Sequence, residues 1–446
     1  MKLFNTMSGK KEVFKPIKDD RVSIYYCGMT LQESPHIGHI RAALTSDILH
    51  RYLLYLGYDV KLIINFTDVD DKVIIKAREE GKDCREVTSY YEREYRKTVE
   101  HLNILRPYFY PRATQHIEEI IKLIQRLEKK GYAYEVGGNV FFRVRKFKDY
   151  GKLSGRKLKD LQSGVRVDVD ENKKDPLDFA LWKARKPGEP YWFSPWGKGR
   201  PGWHIECSAM STHYLGETID IHGGGSDLIF PHHENEIAQS EAATGETFAR
   251  YWIHNAMLNI KGEKMSKSLL NFIPIRDLME EFSPNVIRLY LLQAHYRKQL
   301  NYNRKMLQQA ESGWEKIKIF LKITKGLKGK IQVPFIEEFE ERMNDDLGTP
   351  GGIAIAFDLV SKGMEAPEDE KGSYRETLIF ILKTLGFDLE EEKSVELEPI
   401  IREILNLRTE LRKKGDYEMA DRIRVVLGKV GIVVQDGKKG SIWRLK

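Results

Sequence analysis

Residues 22–70 read "VSIYYCGMTLQESPHIGHIRAALTSDILHRYLLYLGYDVKLIINFTDVD", and this stretch decides the fold. Its opening, 22–30, is dense in β-branched and aromatic residues, the composition of a strand. A turn marked by proline and glycine follows in "SPHIGH". Leu44, Ile48, Leu49 and Leu53 then fall at the spacing of one apolar helix face. "YDVKLIINFTDVD" (58–70) is a second apolar strand ending in acids. Strand, helix and strand in this order predict the opening of a parallel β-α-β sheet, where ligands bind at the carboxyl ends of the strands.

Downstream, 72–104 is a long charged helical stretch. "RPYFYPRATQHIEEIIKLIQRLEKKGYAY" predicts a helix closed by Gly131, and "GNVFFRVRKF" a strand. Residues 150–202 are rich in Gly, Pro, Trp and Lys with no clean period, which predicts an insertion of loops and short elements. The sheet pattern resumes in "TIDIHGGGSD". From about 274 a helical pattern dominates, broken at "LGTPGG" (347–352) and "GFDLE" (386–390). No internal repeat or low-complexity segment is found.

A chain of 446 residues exceeds one compact core, so two or three domains are expected. The net charge of +7 leans toward an anionic partner. Three cysteines, Cys27, Cys84 and Cys207, lie far apart, which argues against a disulfide framework and for a reducing compartment. No run approaches the roughly 20 apolar residues of a membrane span, and no apolar signal-like segment opens the chain. A soluble, cytoplasmic protein is the expectation.

Three motifs carry candidate chemistry. In "PHIGH" (35–39), His36 and His39 stand at a strand-to-helix junction, beside backbone N–H groups suited to a phosphate chain, and Gly38 permits close approach of a base. In "KGEKMSKSLLN" (261–271), Lys261, Lys264 and Lys267 can fold over a polyphosphate and neutralise charge developing in the transition state. In "GGGSDLIFPHHENEIAQSE" (223–241), residues 232–236 have three readings: half of a metal site, a catalytic base, or a polar helix start.

"HIGH" after the first strand and "KMSKS" after the last resemble the paired signature of class I aminoacyl-tRNA synthetases. "YYCGMT", "NFTDVDDK", "RPGWHIECSAMS", "DIHGGGSDLIFPHHENEIAQSEA", "HYRKQLNY" and "MNDDLGTPGGIAIAFDL" are similar to the cysteinyl-tRNA synthetase family, as is the terminal "KKGDYEMADRIRVVLGKVGIVVQDGKKGSIWR". The likeness covers nearly the whole chain. It implies an α/β fold: a Rossmann-like catalytic domain over 1–268 with an insertion at about 107–200, a helical stem-contact region over 269–325, and a helical anticodon-binding domain over 326–446 with a small C-terminal extension.

The resemblance also implies roles. His36 and His39 hold the phosphates of ATP, bound with Mg²⁺, and Lys264 and Lys267 stabilise the transition state. Gly38, Gly225, Asp227, Lys267 and Ser268 belong to the nucleotide site, with Gly224 beside them. Cys27, Cys207, His232 and Glu236 hold one Zn²⁺, which selects the substrate thiolate, while Thr30 and Trp203 wall the amino-acid pocket. His232 and Glu236, four apart, share a helix face, and the second histidine of a zinc peptidase helix is missing. The alternative is a closed zinc that only staples the fold. His204 and His233 are expected to shape the pocket without ligating, and Cys84 to stand aside.

The implied reaction joins L-cysteine to tRNA(Cys) through cysteinyl-adenylate, by a monomer without membrane contact. From Arg402 to Lys446 there are twelve Lys or Arg against six Asp or Glu, a basic concentration that fits RNA phosphates, and Trp443 is expected to stack on an unpaired base. Two other readings remain. A cysteine ligase acting on a sugar amine would lack the matched region 341–446, and a zinc-stapled RNA binder would not need the ATP signature. The chain departs from the family pattern at Leu31-Gln32-Glu33 and at Leu270.

Overall fold

The computed structural model describes residues 1–159, 172–260, 263–264, 273–389, 397–437 and 440–445. Two compact units form, residues 1–388 and residues 389–446.

The first unit opens with a hairpin, β1 (Lys2–Asn5) and β2 (Lys10–Val13). The expected strand, helix and strand follow as β3 (Arg21–Tyr26), α1 (Ile37–Tyr55) and β4 (Asp59–Ile64). β3 and β4 pair in parallel, Val22 opposite Val60 and Tyr26 opposite Ile64. Leu44, Ile48, Leu49 and Leu53 of α1 are all buried, as their spacing predicts.

The charged stretch is two helices, α2 (Asp71–Glu80) and α3 (Cys84–His101), rather than one. Gly81 ends α2 at φ +63°, and Asp83 with Glu86 forms a reciprocal capping box that starts α3. The predicted helix before Gly131 is α4 (Ile117–Lys129). The strand expected in "GNVFFRVRKF" is β6 (Asn139–Phe142), which pairs with β5 (Ala133–Val136); where loops and short elements are expected, β7 (Phe179–Ala184), β8 (Trp192–Ser194) and β9 (Gly197–Pro201) extend them into a five-stranded antiparallel sheet in the order β5-β6-β7-β9-β8. None of β7, β8 and β9 exceeds six residues, too short for an alternating pattern to stand out among glycine and lysine.

After α5 (Trp203–Leu215) the chain returns to the parallel sheet as β10 (Ile219–Gly225), α6 (Glu234–Thr244) and β11 (Ala249–Asn255). The order is β11-β10-β3-β4, all parallel, so β10 lies against β3 although about 200 residues separate them. β12 (Leu258–Ile260) and β13 (Glu263–Lys264) follow, and then α7 (Ile275–Glu281), α8 (Pro284–Leu292), β14 (Leu300–Tyr302), α9 (Arg304–Ile323), α10 (Val333–Asn344), α11 (Thr349–Glu365) and α12 (Glu368–Thr384). The break expected at 347–352 falls slightly earlier. Gly351 and Gly352 lie inside α11, because a Cβ on either would come within 3 Å of Arg342 or Phe339 on α10.

The second unit holds α13 (Leu397–Lys413), α14 (Tyr417–Lys429) and a hairpin of β15 (Ile432–Gly437) with β16 (Gly440–Leu445). Its core is Ile401, Leu405, Leu427, Ile432 and Val434, and Trp443 packs against it. Trp443 is only partly buried there. Among the described residues, no helix is long and apolar enough to cross a membrane.

Candidate active site and metal centre

The carboxyl ends of the parallel strands open into a cavity of about 300 Å³. β3 runs out into Cys27 and Gly28, β4 into Asn65, β10 into Gly225, and β11 ends at Asn255; all of these residues line it. The chain can pass here only because residue 28 has no side chain. A Cβ on Gly28 would sit 1.8 Å from the Asn65 carbonyl oxygen, and its N–H donates to Asn65 Oδ1 at 3.0 Å. Among the predicted site residues, Cys27, Cys207, His232 and Trp203 line the cavity, and so do His36, Gly38 and His39. Thr30, Gly225 and Asp227 complete the lining.

Cys27, Cys207, His232 and Glu236 offer donor atoms that all lie within 4.8 Å of one another. Four elements bring them together: the end of β3, the interior of α5, the turn before α6, and its first turn. The thiols are 3.8 Å apart, Cys27 Sγ lies 3.5 Å from Glu236 Oε1, and His232 Nε2 lies 3.0 Å from the same oxygen. All four are buried, so their charges have no water to screen them and must balance one another.

Burial disfavours the Glu236 carboxylate, yet His222 and His232 hold it well below the usual carboxylate range. For His232, burial opposes the charge, but Glu236 and Cys207 push it up to about 10. Cys207 is drawn down to about 6: burial opposes its thiolate, and the hydrogen bond from Cys27 with the charge of His232 outweighs that. Burial pushes Cys27 up, and Cys207 and Glu236 add to the shift. Two sulfurs, one imidazole and one carboxylate, partly ionised in advance, fit a divalent metal that accepts mixed S, N and O donors.

A consequence can be checked in metal-free protein. With the Cys207 thiol drawn down to about 6 by the Cys27 hydrogen bond and His232, its alkylation by iodoacetamide should rise through that pH and level off near neutrality. Cys27 should lag throughout that range, and peptide mass spectrometry separates the two.

At the α1 end of the cavity His36 caps the helix: its Nδ1 accepts from the N–H groups of Gly38 at 3.1 Å and His39 at 3.2 Å. His39 Nδ1 accepts in turn from the His36 N–H at 3.3 Å, and the two rings stack 3.6 Å apart. With both Nδ1 atoms accepting, the proton of each ring sits on Nε2. Burial and the neighbouring His36 hold His39 well below its usual range, hence neutral. The pair is therefore two neutral N–H donors. Of the other motif, Lys267 and Ser268 lie outside the described residues, as does the side chain of Lys264, whose backbone pairs with Asn259. The described flank at Ile273–Ile275 bonds directly to the first motif, Ile37 N–H to the Ile273 carbonyl and Ile275 N–H to that of Pro35.

Comparison with known proteins gives the family. A family model for the class I (C) tRNA synthetase catalytic domain matches residues 13–312, and one for the cysteinyl-tRNA ligase anticodon binding domain matches 394–444. A cysteine–tRNA ligase of Thermodesulfovibrio yellowstonii is 46% identical, with all of both chains covered. Those of Carboxydothermus hydrogenoformans, at 45%, and Thermococcus onnurineus, at 44%, are covered over 100% and 99% of their lengths by the whole chain. The chain belongs to the cysteine–tRNA ligase family. The fold of this family member is shared more widely: a methionyl-tRNA synthetase of Mycobacterium tuberculosis, in complex with methionyl-adenylate, superposes with a TM-score of 0.59 at 15% identity, over 82% of this chain and 89% of that one.

Sequence reasoning missed His222 and His254, which with His233 form a second group of buried histidines. His222, in the middle of β10, places Nε2 2.8 Å from Glu236 Oε2. His233 Nδ1 pairs with His254 Nε2 at 2.8 Å, and His254 Nδ1 with Thr6 Oγ1 at 2.8 Å. Cys27, His222, His233 and Glu236 also form a set of donors within 4.8 Å. The two sets differ in access, since Cys207 and His232 face the cavity whereas His222 and His233 do not line it. His204, expected only to shape the pocket, lies 2.9 Å from His232, Nδ1 to Nδ1, and Trp203 stacks on His232 at 4.2 Å. The one available signal was a histidine inside an apolar strand; its partner depends on a non-local pairing.

Proposed function

We propose that this chain activates L-cysteine with ATP to cysteinyl-adenylate, releasing diphosphate, and transfers it to tRNA(Cys), releasing AMP. One observation carries this reading: a single cavity has a soft metal-donor set at one part of its wall and the stacked His36–His39 donor pair at another. Cys27, Cys207, His232 and Glu236 are the residues that would hold Zn²⁺. Bound there, the ion supplies a soft Lewis acid that favours a thiolate over a hydroxyl or methyl group, which would make a separate editing site unnecessary.

The chain's own residues do the rest by positioning and electrostatics. Trp203, stacked on His232, walls the amino-acid end, and Thr30, Gly225 and Asp227 line the space toward the nucleotide. His36 and His39 donate Nε2–H to phosphate oxygens without adding charge. Lys264 and Lys267 belong to a segment whose described flank bonds to Pro35 and Ile37, on either side of His36, and their role is to counter charge on the α-phosphate as the cysteine carboxylate attacks. Helices over 269–325 take the stem side of the tRNA and 326–446 the anticodon side, with the basic stretch from Arg402 meeting phosphates. A reducing, cytoplasmic setting suits two buried thiols 3.8 Å apart.

The test is cysteine-dependent ATP–diphosphate exchange on purified protein, with serine as control and with stringent metal removal. Exchange with cysteine and none with serine is expected. Metal removal should lower it by more than about 100-fold, beyond the cost of losing a supporting residue alone. Absence of cysteine-dependent exchange would refute the activity, and exchange indifferent to metal removal would refute the role given to the donor set.

A further inference from the structure

Arg41 lies on α1, two residues after His39, and is only 3% exposed. Among the described residues no carboxylate pairs with it. Its guanidinium instead donates to four backbone carbonyls: Nη1 to that of Met257 at 3.0 Å, and Nη2 to those of His295 at 3.3 Å, Tyr296 at 3.4 Å and Lys298. Its Nε has no acceptor among the described residues. A buried cation that meets only carbonyl dipoles is costly to keep. What it provides in return is geometric, since a planar guanidinium holds several acceptors in fixed directions, which neither an ammonium nor an apolar side chain can do.

The four carbonyls belong to the root of one hairpin. Met257, in the link between β11 and β12, lines the cavity, whereas Arg41 itself does not. Residues 295–300 are joined to that link: Ala256 N–H donates to the Tyr296 carbonyl at 2.8 Å and Leu300 N–H to the Met257 carbonyl at 3.4 Å. β14 then continues along β12, with Leu300 opposite Leu258. β12 pairs on its other side with β13, Asn259 opposite Lys264. Beyond the second motif the chain is tied to the start of α1 once more, through the backbone of Pro35 and Ile37. Arg41 is thus the side chain by which the helix of His36 and His39 grips the entry to that motif.

We propose that Arg41 is a positioning residue: by fixing the root of the β12–β13 hairpin against α1, it sets where Lys264 stands relative to the His36–His39 pair. This rests on the reading of Lys264 as a group that counters charge at the α-phosphate. Arg41 is off the cavity wall, so its loss acts through the hairpin on the activation step and leaves the cysteine end as it was.

The experiment is a double-mutant cycle in cysteine-dependent ATP–diphosphate exchange over wild type, Arg41→Met, Lys264→Ala and the double variant. Arg41→Met should lower kcat by about tenfold or more, the scale of a small misplacement of a charged group, with KM for cysteine unchanged. Arg41→Lys, which keeps the charge without the fork, should fall between Arg41→Met and wild type. On top of Lys264→Ala, the Arg41→Met change should cost less than about threefold, because the group it positions is gone. Losses that multiply in full would overturn the proposal and leave Arg41 a structural tie. Amide hydrogen exchange reads the anchor without turnover: Leu258–Ile260 should exchange faster in Arg41→Met while α1 keeps its wild-type rates, and unchanged protection of β12 would overturn the proposal as well. Should Arg41→Met prove insoluble, Arg41→Lys takes its place in both measurements, and wild-type behaviour in either overturns the proposal. A Lys264→Ala variant as active as wild type would instead sink the reading of Lys264. If wild type itself shows no cysteine-dependent exchange, the activity reading fails, while hydrogen exchange still decides whether Arg41 holds the hairpin.

Discussion

Replacing His232 and Glu236 together by alanine is expected to strip the metal from the protein and abolish cysteine binding while ATP binding survives. The expectation follows from how the donors are mounted. Glu236 Oε1 is shared by Cys27 at 3.5 Å and His232 at 3.0 Å, so removing the carboxylate and the imidazole leaves two thiols in a buried space. Two sulfurs without a counter-donor cannot complete a tetrahedral site. Cysteine-dependent exchange should fall by more than about 100-fold. On the proposed reading ATP meets His36, His39 and the surrounding backbone, whose geometry rests on the α1 cap and not on α6.

Single variants then separate the two donor sets. Glu236 and Cys27 belong to both, but His232 belongs only to the cavity-facing set and His233 only to the other. Metal content by atomic emission should drop for His232→Ala and persist for His233→Ala. The reverse pattern would move the ion to the inner set, away from the cavity, and would leave it a structural staple. Titration calorimetry with ATP supplies the control: loss of ATP binding in the double variant would show a collapsed site rather than an emptied one.

The parts of this site legible in the sequence were those set by local spacing. The first strand, the turn and α1 could be read because the apolar residues repeat at fixed intervals over a long helix, and that turn carries His36 and His39. His232 and Glu236 were readable as a pair because an interval of four puts them on one face. Their meeting with Cys27 and Cys207 was available only through resemblance, since it depends on β10 settling beside β3, and nothing in the interval between 27 and 207 encodes it. His222 was missed for the same reason: its neighbour Glu236 is brought in by the turn before α6. In the antiparallel insertion β6 was readable, but β7, β8 and β9 escaped because strands of three to six residues carry too few alternations to be distinguished from loop. Gly351 and Gly352 misled because their smallness serves contact with α10 and not a turn.

The largest expected loss of stability comes from Asp47→Ala, far from the donors. Asp47 on α1 is fully buried and faces two guanidinium groups. Arg288 of α8, itself 2% exposed, donates Nη1 to Asp47 Oδ2 at 2.7 Å. Arg51 donates Nε to Oδ1 at 2.9 Å, and the Leu105 N–H donates to the same oxygen at 2.9 Å. Both arginines also donate to the Asn103 carbonyl, and the Asn103 side chain donates to the Gly386 carbonyl at 2.8 Å. One carboxylate thereby joins the helix that carries the His36–His39 pair to the following helices and to the end of the first unit. Removing it leaves two cations in the interior with a single carbonyl between them, and a buried pair broken on one side costs about 3–5 kcal/mol. Urea unfolding followed by circular dichroism should show that loss as a lower midpoint. Asp47→Asn, which keeps an acceptor, should lose less. Replacing both members, Asp47→Leu with Arg288→Met, should recover much of the stability, because neither charge then has to be taken out of water. If the double variant is as unstable as Asp47→Ala, the residual Arg51 charge or the packing between α1 and α8 is the dominant cost, and the pair is not the clamp that its geometry indicates.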